Sequence, residues 1–265
     1  MRKFGLLLPV AALIVVIAGC GGGGSSNDKT PAATAPANST AAAGATSAAT
    51  TEAASSSGTN DELKSILNKF VASTFKGSYT ISGGSDAQAI TDGKLVMYKD
   101  GTSRFRFDIS GTQAGQSISM TLIDNNGKTL ICLNDAGDLG AVLGVAAGNG
   151  VCFNADPKDA ASNPASSLTQ SLTDLENGDV TLVSKSTRKI IGRDATCYVT
   201  KSASATGTEE ECFSGDGVVL FSSTGDAGST IEATDVGGSV GDADFNPPYD
   251  VHDLPTTGGP LSGGQ

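Results

Sequence analysis

Five cysteines are the residues best suited to chemistry in this 265-residue chain. Four of them, Cys132, Cys152, Cys197 and Cys212, lie in the body of the sequence, and none is part of a CxxC pair. Their spacings suit neither thiol redox catalysis nor a zinc centre, whose ligands come in close-set pairs. An even number of cysteines in an exported chain points to disulfides. Three pairings of four cysteines exist. Sequential pairing, Cys132 with Cys152 and Cys197 with Cys212, is favoured, because a hairpin turning within residues 203–207 sets Cys197 opposite Cys212. Each such loop closure contributes about 3 kcal/mol in the chain-entropy model.

Other reactive groupings are weak. His252 is the only histidine, so neither a histidine-rich metal site nor a Ser-His-Asp triad is expected. Asp242-x-Asp244-x-Asn246 has the start of an EF-hand loop, but Pro247 stands where the loop needs glycine and no closing Glu follows. Glu209-Glu210-Glu211 reads as the solvated edge of a hairpin, and Arg104 and Arg106 as the outer face of a strand. No GxSxG elbow, Walker loop or zinc-protease helix is present. The expectation is no enzyme, no cofactor and no metal. The excess of 28 acids over 17 bases argues against a nucleic-acid partner, which requires clustered Lys and Arg.

The fifth cysteine belongs to the N-terminus. Arg2 and Lys3 precede an uncharged, mostly apolar run, Phe4 to Ala18, the layout of a secretory signal peptide. That run is short of the roughly 20 apolar residues a spanning helix needs. It ends in Ile17-Ala18-Gly19-Cys20, which resembles the lipobox of bacterial lipoproteins. The resemblance implies cleavage after residue 19 and a diacylglyceryl group on Cys20. Two acyl chains are enough for a stable membrane anchor. The implied location is the extracytoplasmic face of the cell membrane.

Composition then divides the chain into 1–19 as signal peptide, 20–58 as lipidated N-terminus and flexible linker, 59–255 as the folded domain and 256–265 as a disordered tail. The linker is Gly, Ser, Thr and Ala with scattered Pro, too polar and small to offset the entropy of ordering. Past residue 60, 14 bases stand against 26 acids, a net charge of −12 that anionic headgroups would repel. The domain is expected to be monomeric and held to the membrane by its anchor alone.

Within the domain, Leu63, Ile66, Leu67, Phe70 and Val71 form one helical stripe behind a Thr59/Glu62 capping box. Strands are expected at residues 77–82, 94–98, 104–109, 118–122 and 128–133. The strongest is Arg104-Phe105-Arg106-Phe107-Asp108-Ile109, with apolar and charged residues alternating. Asn126-Gly127 marks a hairpin. Asn163-Pro164 opens a second helix bearing Leu168, Leu172 and Leu175, and Gly178 closes it. Strands resume at 180–183, 189–191, 196–200, 211–213, 218–222 and 230–236. The order of elements reads as α+β.

With these elements in place, the segments Gly192-Arg193-Asp194-Ala195-Thr196-Cys197-Tyr198, Glu211-Cys212-Phe213-Ser214-Gly215-Asp216-Gly217-Val218 and Asp244-Phe245-Asn246-Pro247-Pro248 resemble extracytoplasmic lipoproteins with a LolA-like fold, including the LprG and LppX group of mycobacteria. The resemblance implies a strongly curved antiparallel half-barrel sheet with helices on its concave face. It also implies an apolar cavity for acyl chains of a lipid or lipidated partner. Met97, Phe105, Phe107, Ile109, Met120 and Leu122 are the candidates to line it. The alternative is an interaction or sensor lipoprotein whose core is filled by its own side chains.

Overall fold

The computed structural model describes residues 50–52, 56–83, 89–113, 115–135, 146, 148–155, 164–203, 207–225 and 228–253. Cys20, the signal peptide, the tail 256–265 and Leu254–Pro255 at the end of the expected domain lie outside them.

The apolar stripe of the first helix does form. Helix α1, Ser56–Ala72, begins one turn earlier than the capping box predicted, so Thr59 is inside it. Helix α2 spans Pro164–Asn177, with Pro164 in its first turn and Gly178 at φ +75° ending it, as expected. Among the described residues the strands are β1 (Thr50–Glu52), β2 (Thr74–Gly83), β3 (Ile90–Asp100), β4 (Arg104–Gln113), β5 (Gln116–Asn125), β6 (Lys128–Leu133), β7 (Val151–Asn154), β8 (Val180–Ile190), β9 (Arg193–Ser202), β10 (Glu209–Ser214), β11 (Val219–Thr224), β12 (Ser229–Gly237) and β13 (Val251–His252). A 3₁₀ turn, Asp242–Phe245, precedes β13.

All of these strands join one sheet in the order β1-β8-β9-β10-β11-β12-β2-β3-β4-β5-β6-β7-β13. The central meander is antiparallel. Its Asn126-Gly127 turn has both residues at positive φ, 55° and 81°, the geometry of a two-residue hairpin whose twist matches its strands.

This architecture corrects the expectation of an α+β domain with a strongly curved antiparallel half-barrel and helices on a concave face. The sheet is mixed, because β13 pairs with β7 in parallel, and it is open, ending at β1 and β13. Strand dominates, and the described helices are α1 and α2 alone. Between β6 and β8 the chain supplies the strand β7, which was not expected, as well as the expected helix α2. Cys152 is drawn into register opposite Cys132, and Val151 to Asn154 extend the sheet there. The runs expected at 180–183 and 189–191 merge into one strand, β8, which ends at Ile190. Its middle, Ser184 to Arg188, carries no apolar alternation and so hides its strand character.

The core lies between α1 and one face of the sheet. Leu63, Ile66, Leu67 and Phe70 of α1 share a cluster with Tyr79, Ile81, Leu95, Phe213 and Ile231. A smaller cluster on the opposite face joins Ile123 and Leu130 to Phe245.

Candidate functional site

Strand register assembles the residues proposed to line a cavity. Met97 opposes Phe107, which opposes Leu122; Leu95 opposes Ile109, which opposes Met120. Directly paired residues project from the same face, so the six side chains make one contiguous apolar patch across β3, β4 and β5. Phe105 extends it, its ring 6.4 Å from that of Phe107. Met97, Phe105, Phe107, Ile109 and Leu122 are at most 2% exposed, and Met120 is partly buried against the same cluster.

Helix α1 is held over this face at several points. Near its start Glu62 pairs with Lys185 of β8 at 2.7 Å. Lys64 forms an ion pair with Glu176 of α2. Phe70 lies 6.2 Å from Phe75 and 6.1 Å from Phe213 between ring centroids. At its C-terminus the helix meets a buried lysine. Lys99 Nζ donates to the carbonyl oxygens of Val71 at 2.6 Å, Ser73 at 2.9 Å and Gly101 at 2.7 Å. The same ammonium sits 5.2 Å from the Phe70 ring centroid and 5.3 Å from that of Phe105. A cation here satisfies orphan carbonyls and complements the negative end of the helix. Burial nevertheless disfavours its charge and lowers its pKa to about 8, partly opposed by Asp100. Lys99 follows Leu95 and Met97 at two-residue spacing, so strand alternation alone aims it inward.

Both disulfides join directly opposed residues, Cys132 with Cys152 and Cys197 with Cys212, and all four cysteines are fully buried. The predicted sequential pairing is the one present. Glu210 brings a carboxylate oxygen within 4.8 Å of the sulfurs of Cys197 and Cys212, a grouping with the composition of a metal site. The sulfurs are bonded to each other, so no thiolate is offered to a metal.

The EF-hand-like acids serve another purpose. Asp244 accepts from the Gly241 backbone N–H at 2.8 Å, and Asp242 accepts from Arg104 Nη1 at 2.5 Å. Arg106 Nη1 donates to the Asp244 carbonyl at 2.9 Å, and its Nε donates to Asp108. The Arg104 guanidinium covers the ring of buried Phe245 at 4.7 Å. Arg104 and Arg106 therefore occupy the outer face of β4, as expected, and clamp the C-terminal segment there.

The acidic triplet departs from expectation. Glu209 and Glu211 are only 8% and 5% exposed, whereas Glu210 is half-buried on the other face beside Arg188. Glu209 opposes Thr200, Glu211 opposes Tyr198 and Phe213 opposes Thr196, so alternation along β10 puts both carboxylates on the α1 side. Reading the triplet as a charge run missed this. Reading it in phase with Phe213 reveals it.

Tyr79 and Tyr198 also lie in this face, and burial pushes both phenols up, Tyr198 further so beside Glu62. The Tyr79 hydroxyl donates to the Val219 carbonyl at 3.1 Å. No helix among the described residues is long and apolar enough to cross a membrane.

No family model and no curated protein sequence matches the chain. Among solved structures it is similar to MucB in complex with MucA(peri), at TM-score 0.40 and 15% identity over 71% of this chain and 59% of that one. It is also similar to the Pseudomonas aeruginosa MucA/MucB complex, at TM-score 0.43 and 14% identity over 72% and 61%. The chain thus spans about three fifths of the length of these structures.

Proposed function

We propose that the protein is an extracytoplasmic lipoprotein that acts as a membrane-tethered binding module for a macromolecular partner. Cys20 carries the lipid, the chain between it and β1 provides reach, and the domain that begins at β1 presents its outer face and sheet edges. One observation supports a filled rather than an open core: Met97, Phe105, Phe107, Ile109 and Leu122 are at most 2% exposed and share one cluster with Leu63, Ile66, Leu67 and Phe70 of α1. A ligand that meets this domain as it stands meets its acidic exterior, not its apolar face.

A second reading is favoured by the continuity of that patch. If α1 withdraws, Met97, Phe105, Phe107, Ile109, Met120 and Leu122 offer one uninterrupted apolar surface to an acyl chain. Burying a methylene gives about 0.8 kcal/mol, so a long chain offsets much of the cost of displacing the helix.

The anchoring half is tested by Cys20→Ala with cell fractionation. The variant should leave the membrane fraction, and retention there would refute anchoring at that residue. The binding half is tested by amine crosslinking in intact cells followed by peptide mapping. Reproducible crosslinks from outer-face Lys94 and Lys128 to one protein partner are expected. Crosslinks to no partner, together with stoichiometric co-purified lipid, would favour the second reading.

A further inference from the structure

The polar residues on the α1 side of the sheet form a pattern with its own chemistry. On β10, Glu209 and Glu211 are two residues apart on one face, about 6.6 Å along the strand. On β11 the residues directly opposite are Thr224 and Ser222. On β9 they are Thr200 and Tyr198. The covered face therefore holds the row Thr200–Glu209–Thr224 beside the row Tyr198–Glu211–Ser222. All six are nine-tenths buried or more.

The glutamates engage in interactions within the fold, but the hydroxyls opposite them do not: Ser222 Oγ and Thr224 Oγ1 are buried without a hydrogen-bond partner. Buried hydroxyls normally find a partner, and leaving one unmade costs stability. Two carboxylates and two lone oxygen donors, withdrawn from water on adjacent strands, form an all-oxygen donor set with a formal charge of −2. Hard divalent cations take such sets. Calcium accepts six to eight oxygens in flexible geometry, whereas magnesium demands a near-ideal octahedron.

The geometry points to a calcium site on the covered face of β10 and β11, with the carboxylates of Glu209 and Glu211 and the hydroxyls of Ser222 and Thr224 as oxygen ligands. Thr200 borders it beside Glu209. The glutamate side chains are long enough to converge on one ion between them, and two bidentate carboxylates with the two hydroxyls supply six oxygens. Two charged ligands place the site among weak extracellular modules, with a Kd of about 10⁻⁴ to 10⁻³ M. The cation would tie β10 to β11 on the α1 side of the sheet. This inference is independent of what the outer face binds.

Tyrosine gives a direct readout, since the chain has no tryptophan and Tyr198 sits across from Glu211. The full-length protein in detergent is titrated with Tb³⁺ while tyrosine-sensitised emission is recorded, and with Ca²⁺ while the unfolding midpoint is followed. Saturable emission displaced by Ca²⁺, and a Ca²⁺-dependent rise in midpoint, are expected. Glu209→Gln and Glu211→Gln should each weaken Ca²⁺ by at least about tenfold. Should either fail to fold, Thr224→Val and Ser222→Ala keep the packing and should still weaken Ca²⁺. Tyr198→Phe should dim the Tb³⁺ emission while leaving the Ca²⁺ midpoint shift intact. Emission that survives unchanged in Tyr198→Phe and in the ligand variants would place the ions on surface carboxylates and overturn the site, as would the absence of any saturable response.

Discussion

Lys99 Nζ lies 2.6 Å from the Val71 carbonyl oxygen, which ties the middle of the sheet to the last turn of α1 by a single charged hydrogen bond. Because the same nitrogen reaches Ser73 and Gly101, one side chain terminates the helix, anchors the connection into β2 and fixes the β3–β4 turn. The ammonium thereby fixes the C-terminal end of α1 beside β3, near the rings of Phe70 and Phe105.

Replacing Lys99 with methionine keeps the stem but takes a donor from the Val71, Ser73 and Gly101 carbonyls, of which Ser73 keeps the Gly101 N–H at 3.1 Å. Each such loss costs about 1–3 kcal/mol, partly recovered by local rearrangement, so a net destabilisation of about 2–4 kcal/mol is expected. Urea unfolding measures it. A midpoint within error of the parent would mean that water or another donor takes over.

The pH dependence has a definite sign. The folded pKa of Lys99 is lowered from 10.5 to about 8, so between these values the unfolded chain binds more protons than the folded one. Unfolding free energy should therefore rise from about pH 8 towards pH 10.5 and lose this increment as pH falls through 8. Tyr79 and Tyr198 act oppositely. Their folded pKa values are raised above 10.0, so their contribution is complete below pH 10 and declines above it. Urea midpoints at pH 7.5 and 9.5 should differ in the parent and converge in Lys99→Met. Equal increments in both would assign the effect to another group.

Much of this arrangement was visible in the sequence. The α1 stripe, the 104–109 alternation, the Asn126-Gly127 turn and the cysteine pairing are local patterns that tertiary structure had no reason to override. What escaped was set by long-range pairing. β7 and β13 are four and two residues long, too short to show a period, and exist because Cys152 pairs with Cys132 and the C-terminal segment returns alongside. The hydrophilic centre of β8 lies near a sheet edge, where no apolar alternation is needed. Buried Glu209 and Glu211 were obscured by their charge, although their phase with Phe213 gives them away.

The two disulfides should resist reduction. Their sulfurs are fully buried within paired strands, so a thiol reductant gains access only when the sheet opens. In native buffer, dithiothreitol should leave both intact over hours, while urea should release all four thiols together. Early release of one pair would identify a locally opening strand. Replacing Cys197 and Cys212 together with alanine should cost about 3 kcal/mol.

Phe245→Ala tests the C-terminal clamp. The ring is buried against Ile123 and Leu130 beneath Arg104, and its loss should cost about 3–5 kcal/mol and free the 242–253 segment. Hydrogen exchange at Cys152, whose amide donates to the Asp250 carbonyl at 3.0 Å, should accelerate. Unchanged protection there would show that β13 docks without the ring.

Native mass spectrometry of the protein extracted mildly from membranes addresses the central claim, an anchored module whose apolar sheet face is buried in its own core. The predicted spectrum shows the chain from Cys20 onward with covalent acyl groups and no further lipid, before and after incubation with phospholipid. A stoichiometric, non-covalently held lipid would contradict it.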